Sequence, residues 1–163
     1  LGFFSIKMCS GLGFLLLLFF TILMTDVGGY VFGSKFGKHP LAPVVSPKKT
    51  IEGSIGGSLL AILTALLIGW IIHIEWYQSL IAGLLITTFA QLGDLAESLI
   101  KRDAGVKDSG NSLPGHGGFL DRADSYLFST PVAYFYFNYF VVSDQLTMDF
   151  LSFARKALDA VGL

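Results

Sequence analysis

The sequence predicts an all-α fold: a polytopic membrane helix bundle of about four transmembrane helices, with two long polar loops on one face. Three observations predict it. Apolar residues make up 53% of the 163-residue chain and charged residues only 14%, against about 25% charged in ordinary soluble domains. The apolar residues form continuous runs close to the roughly 20 residues that a helix needs to cross a bilayer core of about 30 Å. The charges collect in two connections and almost vanish from a third.

The first span covers about residues 11–32 and includes the run Leu15-Leu16-Leu17-Leu18-Phe19-Phe20. The second covers about 53–72, the third about 77–99, and the fourth, rich in aromatic residues, about 125–142. Continuous runs, not alternation, argue against a transmembrane β-barrel. An open sheet is excluded from lipid because its edge groups would lack hydrogen-bond partners. Length suits one domain, residues 1–163. The chain starts at Leu1, not Met, and further N-terminal spans are expected before it. The first apolar run has no small-residue cleavage site behind it, so it reads as a span and not a signal peptide.

Lys35, Lys38, Lys48 and Lys49 lie in the first connection, and Lys101, Arg102, Lys107 and Arg122 in the third. The short second connection holds His73 and Glu75 without Lys or Arg. The positive-inside rule puts both long loops in the cytoplasm or its organellar equivalent. The membrane is then a bacterial inner membrane or an organellar one. Arg155 and Lys156 fit this orientation less well, and suit an interfacial helix. A formal net charge of −1 gives no general attraction to nucleic acid. Cys9 is the only cysteine, which excludes an intrachain disulfide and a thiolate metal site within one chain.

Asp94 lies inside an apolar helix, and a charge there costs at least ~2.5 kcal/mol on insertion scales. Such a residue ordinarily faces the protein interior and has a task, though a structural polar patch near the helix end would also accommodate it. Spacings of three and four put Gln91, Asp94, Ser98 and Lys101 on one face. Further on, Pro114-Gly115-His116-Gly117-Gly118 surrounds a histidine with glycines whose backbone N–H groups can approach an anion closely. Asp121 and Asp124 follow, three residues apart. Carboxylates with room for water and phosphate suit Mg²⁺; the same acids could merely cap a helix. Lys101, Arg102 and Lys107 can hold phosphate or anchor the topology. Ser46-Pro47 reads as a helix start, with Lys48 and Lys49 behind it. Asp26 is another intramembrane acid, near the cytoplasmic end of the first span. His39 and His73 read as interfacial, and Tyr134-Phe135-Tyr136-Phe137 as packing and anchoring.

Taken together, Ser98-x-x-Lys101-Arg102, Lys107-Asp108, Pro114 through Gly118 and Asp121-Arg122-x-Asp124 resemble the signature of the phosphatidate cytidylyltransferase (CDP-diacylglycerol synthase) family. Gln91-x-Gly93-Asp94-x-x-Glu97-Ser98 is similar to that family's metal-bearing helix. The first-loop segments, Phe36-Gly37-Lys38 and Ser46 to Gly53, are also similar. The resemblance covers about residues 25–125. Ile51 stands where many relatives have Trp, and Ala123 where a larger apolar residue is usual.

The resemblance implies transfer of the cytidylyl group of CTP to phosphatidic acid in a lipid membrane, giving CDP-diacylglycerol and pyrophosphate. It implies a Mg²⁺ ion, with room for a second cation, held by Asp94 and Asp121. Asp124 and Lys101 join them as catalytic candidates. Arg102, Lys107, His116, Gly117, Gly118, Arg122, Ser46, Lys48 and Lys49 are candidate substrate-binding residues. A homodimer is compatible with this reading, and no nucleic acid is expected. Two other classes stand beside it. One is a CTP-dependent polyprenol or phytol kinase, against which the signature through Asp124 argues. The other is an ion-coupled transporter, which would need neither the glycine loop nor a nucleotide. The Asp-Gly-x-x-Ala-Arg pattern of CDP-alcohol phosphatidyltransferases is not present.

Overall fold

The computed structural model describes residues 2–43, 45–105 and 120–143; side chains are described from Gly11 onward and, in the last segment, from Asp124 onward. In chain order they form α1 (Gly2–Phe36), β1 (Pro40–Ala42), β2 (Ser46–Thr50), α2 (Ile51–Ile71), α3 (Trp76–Asp103) and α4 (Leu120–Tyr136), which runs on through a π-turn (Phe137–Val141). Three helical segments, Gly11–Phe36, Ile51–Ile71 and Trp76–Asp103, are long and apolar enough to cross a membrane. The expected fourth span, about residues 125–142, falls on α4 with its π-turn, which is not among those three. The arrangement is a polytopic helical bundle.

The predicted helix start at Ser46-Pro47 is not what forms. Ser46–Thr50 is instead an antiparallel strand, pairing with Pro40–Ala42 in the register Pro40↔Thr50 and Ala42↔Ser46. Pro47 is tolerated because each strand of a two-stranded ribbon keeps one open edge, and this ribbon is irregular between its paired positions. The helix begins four residues later than the local signal suggests. Thr50 is extended (φ −119°, ψ 152°) and its hydroxyl accepts from the Gly53 N–H, which satisfies one of the unpaired donors of the first turn. Glu52 then ties the ribbon down. Its carboxylate accepts from the N–H groups of Lys38 and His39 and pairs with the His39 ring at 2.6 Å. His39 is held by these contacts with Glu52.

Small residues set the packing of α1 on α2. Gly53, Gly56 and Gly57, buried in the first turns of α2, lie against α1, while Ala65 and Gly69 further along lie against Gly83 and Ser79 of α3. A Cβ added to Gly57 would lie 2.6 Å from the Thr25 carbonyl oxygen. Backbones this close gain dispersion and polar contacts, the terms that hold helices together in lipid. The opposite face of α2 carries Leu59, Leu63 and Leu67, all exposed, as suits a surface whose solvent is hydrocarbon.

The tiny connection between α2 and α3 forms as predicted. Ile74 N–H bonds the Gly69 carbonyl at 2.8 Å, and His73 adopts φ 59°. Buried positions on α3, among them Gln78, Ala82, Ile86, Ala90, Gly93 and Glu97, recur at three and four, so one face looks inward throughout. Leu17, Ile22, Ile86, Phe137 and Val141 belong to the common core, and Phe14 stacks on Phe137 with ring centroids 4.5 Å apart.

Candidate active site

A cavity of about 410 Å³ opens where the ends of α1, α2 and α3 meet the ribbon, a size within the range of small-ligand pockets. Asp26 and Tyr30 come from α1, Lys48 and Lys49 from β2, and Gln91 and Asp94 from α3. Ser46 also lines it. Sequence reasoning put Asp94, Lys48, Lys49 and Ser46 forward separately, on residues nearly fifty positions apart. The structure brings them to one space.

At its centre the Lys49 ammonium donates to the Asp94 carboxylate as an ion pair, with both side chains about 30% exposed. Directly below, Gln91 is fully engaged. Its side-chain oxygen accepts from the Ser54 hydroxyl, and its nitrogen donates to Ser58 Oγ at 2.9 Å. Thr25 and Thr87 share a further hydroxyl bond of 3.1 Å. A polar seam thus joins α1, α2 and α3 under the ion pair. In a medium without water, each of these groups would otherwise be unsatisfied.

Gly93 determines how Asp124 arrives. A Cβ there would sit 2.8 Å from the Asp124 carbonyl oxygen and 3.1 Å from Phe128, so the start of α4 rests directly on the residue beside Asp94. Asp124 is buried and accepts from the Ser125 N–H at 2.6 Å. Asp26, Asp94 and Asp124 lie within mutual electrostatic reach, and Lys49 acts on both Asp26 and Asp124. Asp121 precedes Asp124 by three residues on α4, hence on a neighbouring part of the same helix face.

Other candidates stand further off. Lys101 pairs with Glu97 at 3.2 Å, and Arg102 Nε donates to the Val45 carbonyl at 3.3 Å. Neither lines the cavity. Of the expected face on α3, Gln91 and Asp94 look into the cavity while Lys101, two turns on, turns to Glu97. The side chains of Asp121 and Arg122 lie outside the described residues, as do Lys107, His116, Gly117 and Gly118 entirely.

Carboxylate oxygens suit a hard divalent cation, and Asp26 and Asp94 both line the cavity. Among the described residues, no group of three His, Cys, Asp or Glu side chains is arranged to hold a metal. Asp26 and Asp94, the acids that line the cavity, could supply part of a shell for such an ion.

Sequence reasoning gave no role to Ser54, Ser58 and Thr25. The signal was present: Ser54 and Ser58 are hydroxyls four residues apart in an apolar helix, facing the same way.

Comparison with known proteins adds the following. The model of the family described as the cytidylyltransferase family matches residues 3–140. A phosphatidate cytidylyltransferase of Staphylococcus epidermidis is 48% identical over 125 residues, covering 76% of this chain and 48% of that protein. One of Staphylococcus aureus is 46% identical over the same length. The chain spans about half the length of the curated relatives it matches. Among solved structures, an intramembrane enzyme for archaeal membrane lipids biosynthesis superposes with a TM-score of 0.57 at 23% identity, over 72% of this chain and 74% of that one. That likeness concerns the fold.

Proposed function

The chain belongs to the cytidylyltransferase family, and from that premise we propose that it carries the catalytic site of an integral membrane phosphatidate cytidylyltransferase. The observation that carries the reading is the 48% identity, along 76% of the chain, to a protein of that name. The Lys49–Asp94 pair in a polar cavity at the helix ends supports it.

A phosphate oxygen of phosphatidic acid attacks the α-phosphorus of CTP. The bond from that phosphorus to the bridging oxygen breaks, and pyrophosphate leaves with the electron pair. A phosphomonoester has a second pKa near 6 and is largely dianionic at neutral pH, so no general base is required. The difficulty is holding two anions together, which positioning and charge stabilisation overcome. Mg²⁺, held by Asp94 and Asp121 with Asp124 in support, would withdraw charge from the phosphates. Lys48 and Lys49 reach into the cavity and contact phosphate there. Lys101, Arg102, Lys107, His116 and Arg122, with backbone N–H groups at Gly117 and Gly118, bind the remaining phosphate oxygens, and Ser46 offers a hydroxyl. The cavity faces the cytoplasm, where CTP is dissolved and the lipid headgroup is within reach.

Incubation of the protein with labelled CTP and phosphatidic acid tests this. Cytidine should move into the lipid phase with one pyrophosphate released per product, and Asp94→Asn should nearly abolish turnover while leaving the protein folded. Release of CDP with a phosphorylated lipid alcohol would instead identify a kinase.

A further inference from the structure

Lys49 and Asp94 are 45 positions apart in sequence and on different elements, yet they form the central ion pair of the cavity. The ribbon that carries Lys49 is held by other bonds: Ile51 N–H to the His39 carbonyl at 2.9 Å, Glu52 to the backbone of Lys38 and His39, and Arg102 to Val45. The pair is therefore not what secures the fold. Its effect is electrostatic. Asp26 and Asp94 both line this cavity, and Lys49 is the cation set against them.

A bound nucleotide changes what each partner prefers. A carboxylate gains more from a divalent cation than from an ammonium already partly hydrated. An ammonium gains more from a polyanionic phosphate than from one carboxylate. The ammonium has three donors, but while it stays paired with Asp94 it competes with the cation for that carboxylate. Lys has a four-carbon flexible stem, and about 410 Å³ of open space lies in front of it.

We propose that Lys49 is an exchangeable counter-ion: it occupies the Asp94 carboxylate while the site is empty, yields that carboxylate to an incoming divalent cation, and turns to the phosphates that arrive with it. The exchange keeps the acids balanced at every stage and delivers a cation to the substrate as the metal binds. It rests on the reading of Asp94 as a metal ligand given above.

The distinguishing consequence is that one substitution acts in opposite directions on two ligands. Mn²⁺ binding to the purified protein without nucleotide can be followed by electron paramagnetic resonance. Lys49→Gln should bind Mn²⁺ about tenfold tighter than the wild type, the effect of removing one charge-assisted competitor, and should bind CTP more weakly. Lys48→Gln removes a charge from the same cavity without removing an ion pair, and should change Mn²⁺ affinity much less. Equal Mn²⁺ affinity in the wild type and Lys49→Gln, or an equal gain in both variants, overturns the exchange. Absence of Mn²⁺ binding in all three overturns the metal reading of Asp94 and the exchange with it. A second measurement needs no variant. In the wild type, Mn²⁺ alone should raise modification of Lys49 by an amine-reactive ester several-fold, read by peptide mass spectrometry, and Mn²⁺ with CTP should suppress it. No change at Lys49 on adding Mn²⁺ refutes the proposal.

Discussion

Gly93→Ala is expected to damage turnover more than stability. The new methyl carbon would lie 2.8 Å from the Asp124 carbonyl oxygen and 3.1 Å from two carbons of Phe128. An ordinary contact begins near 3.4 Å, so α4 must retreat from α3 by roughly 0.6 Å. The nearest atom is backbone and cannot rotate away. Overpacking of this kind costs about 1–3 kcal/mol, which a bundle of this size survives. The start of α4, however, seats Asp124 on Gly93, the residue beside Asp94. Misplacement of reacting groups by about 1 Å can cost on the order of a hundredfold. A shift of roughly half that should lower kcat about tenfold, with a smaller change in the KM for CTP. The assay is steady-state turnover beside thermal unfolding in the same detergent. Gly11→Ala is the control, since nothing lies within 4 Å of the atom it adds. If Gly93→Ala keeps wild-type turnover and stability, the close seating of α4 does not position the acids.

Gln91→Leu should remove the amide that holds Ser54 and Ser58 and lower kcat at least tenfold, while an Ala at Ser58, which deletes one contact, should cost about 1 kcal/mol of stability; equal losses of turnover from the two would show that Gln91 has no special role. Lys107→Gln should weaken CTP or phosphatidic acid kinetics about ten- to a hundredfold, the worth of a charge-assisted bond of roughly 1.5–3 kcal/mol, whereas Lys38→Gln should not; wild-type kinetics in Lys107→Gln would exclude a direct part in binding. Cysteines placed at Ser34, Glu75 and Ser109 in a Cys9→Ser background should label from one side, the other side and the first side again, and labelling of all three from a single side would contradict the four-span arrangement.

What the sequence made legible was set by one-dimensional physics. The apolar runs gave the spans to within a few residues, because lipid imposes a length and a composition on any helix that crosses it. Asp94 stood out because a charge in such a helix is costly. The ribbon was not legible. Ser46-Pro47 carries a genuine local helix-start signal, but Pro40–Ala42 and the Glu52 contacts outweigh it, and neither is visible in a short window. Lys49 looked no different from Lys48, since only the partner on α3 separates them. The close packing of α2 on its neighbours was written openly as a row of small residues every fourth position, Gly53 and Gly57 against α1 and Ala65 and Gly69 against α3. Hydropathy counts Gly and Ala as weakly apolar, which obscured it.

That row has a consequence for how α2 tolerates change. In a water-soluble helix the buried face holds large side chains, and mutational freedom lies on the surface, among polar residues. In α2 the large side chains point outward to a liquid that treats Leu, Ile, Val and Phe alike, so Leu59, Leu63 and Leu67 can be exchanged for one another's kind with little effect. Inward, Gly57 has no space for even one carbon atom. The specificity of this helix resides in atoms that are missing, and drift should replace its bulk long before it touches its gaps.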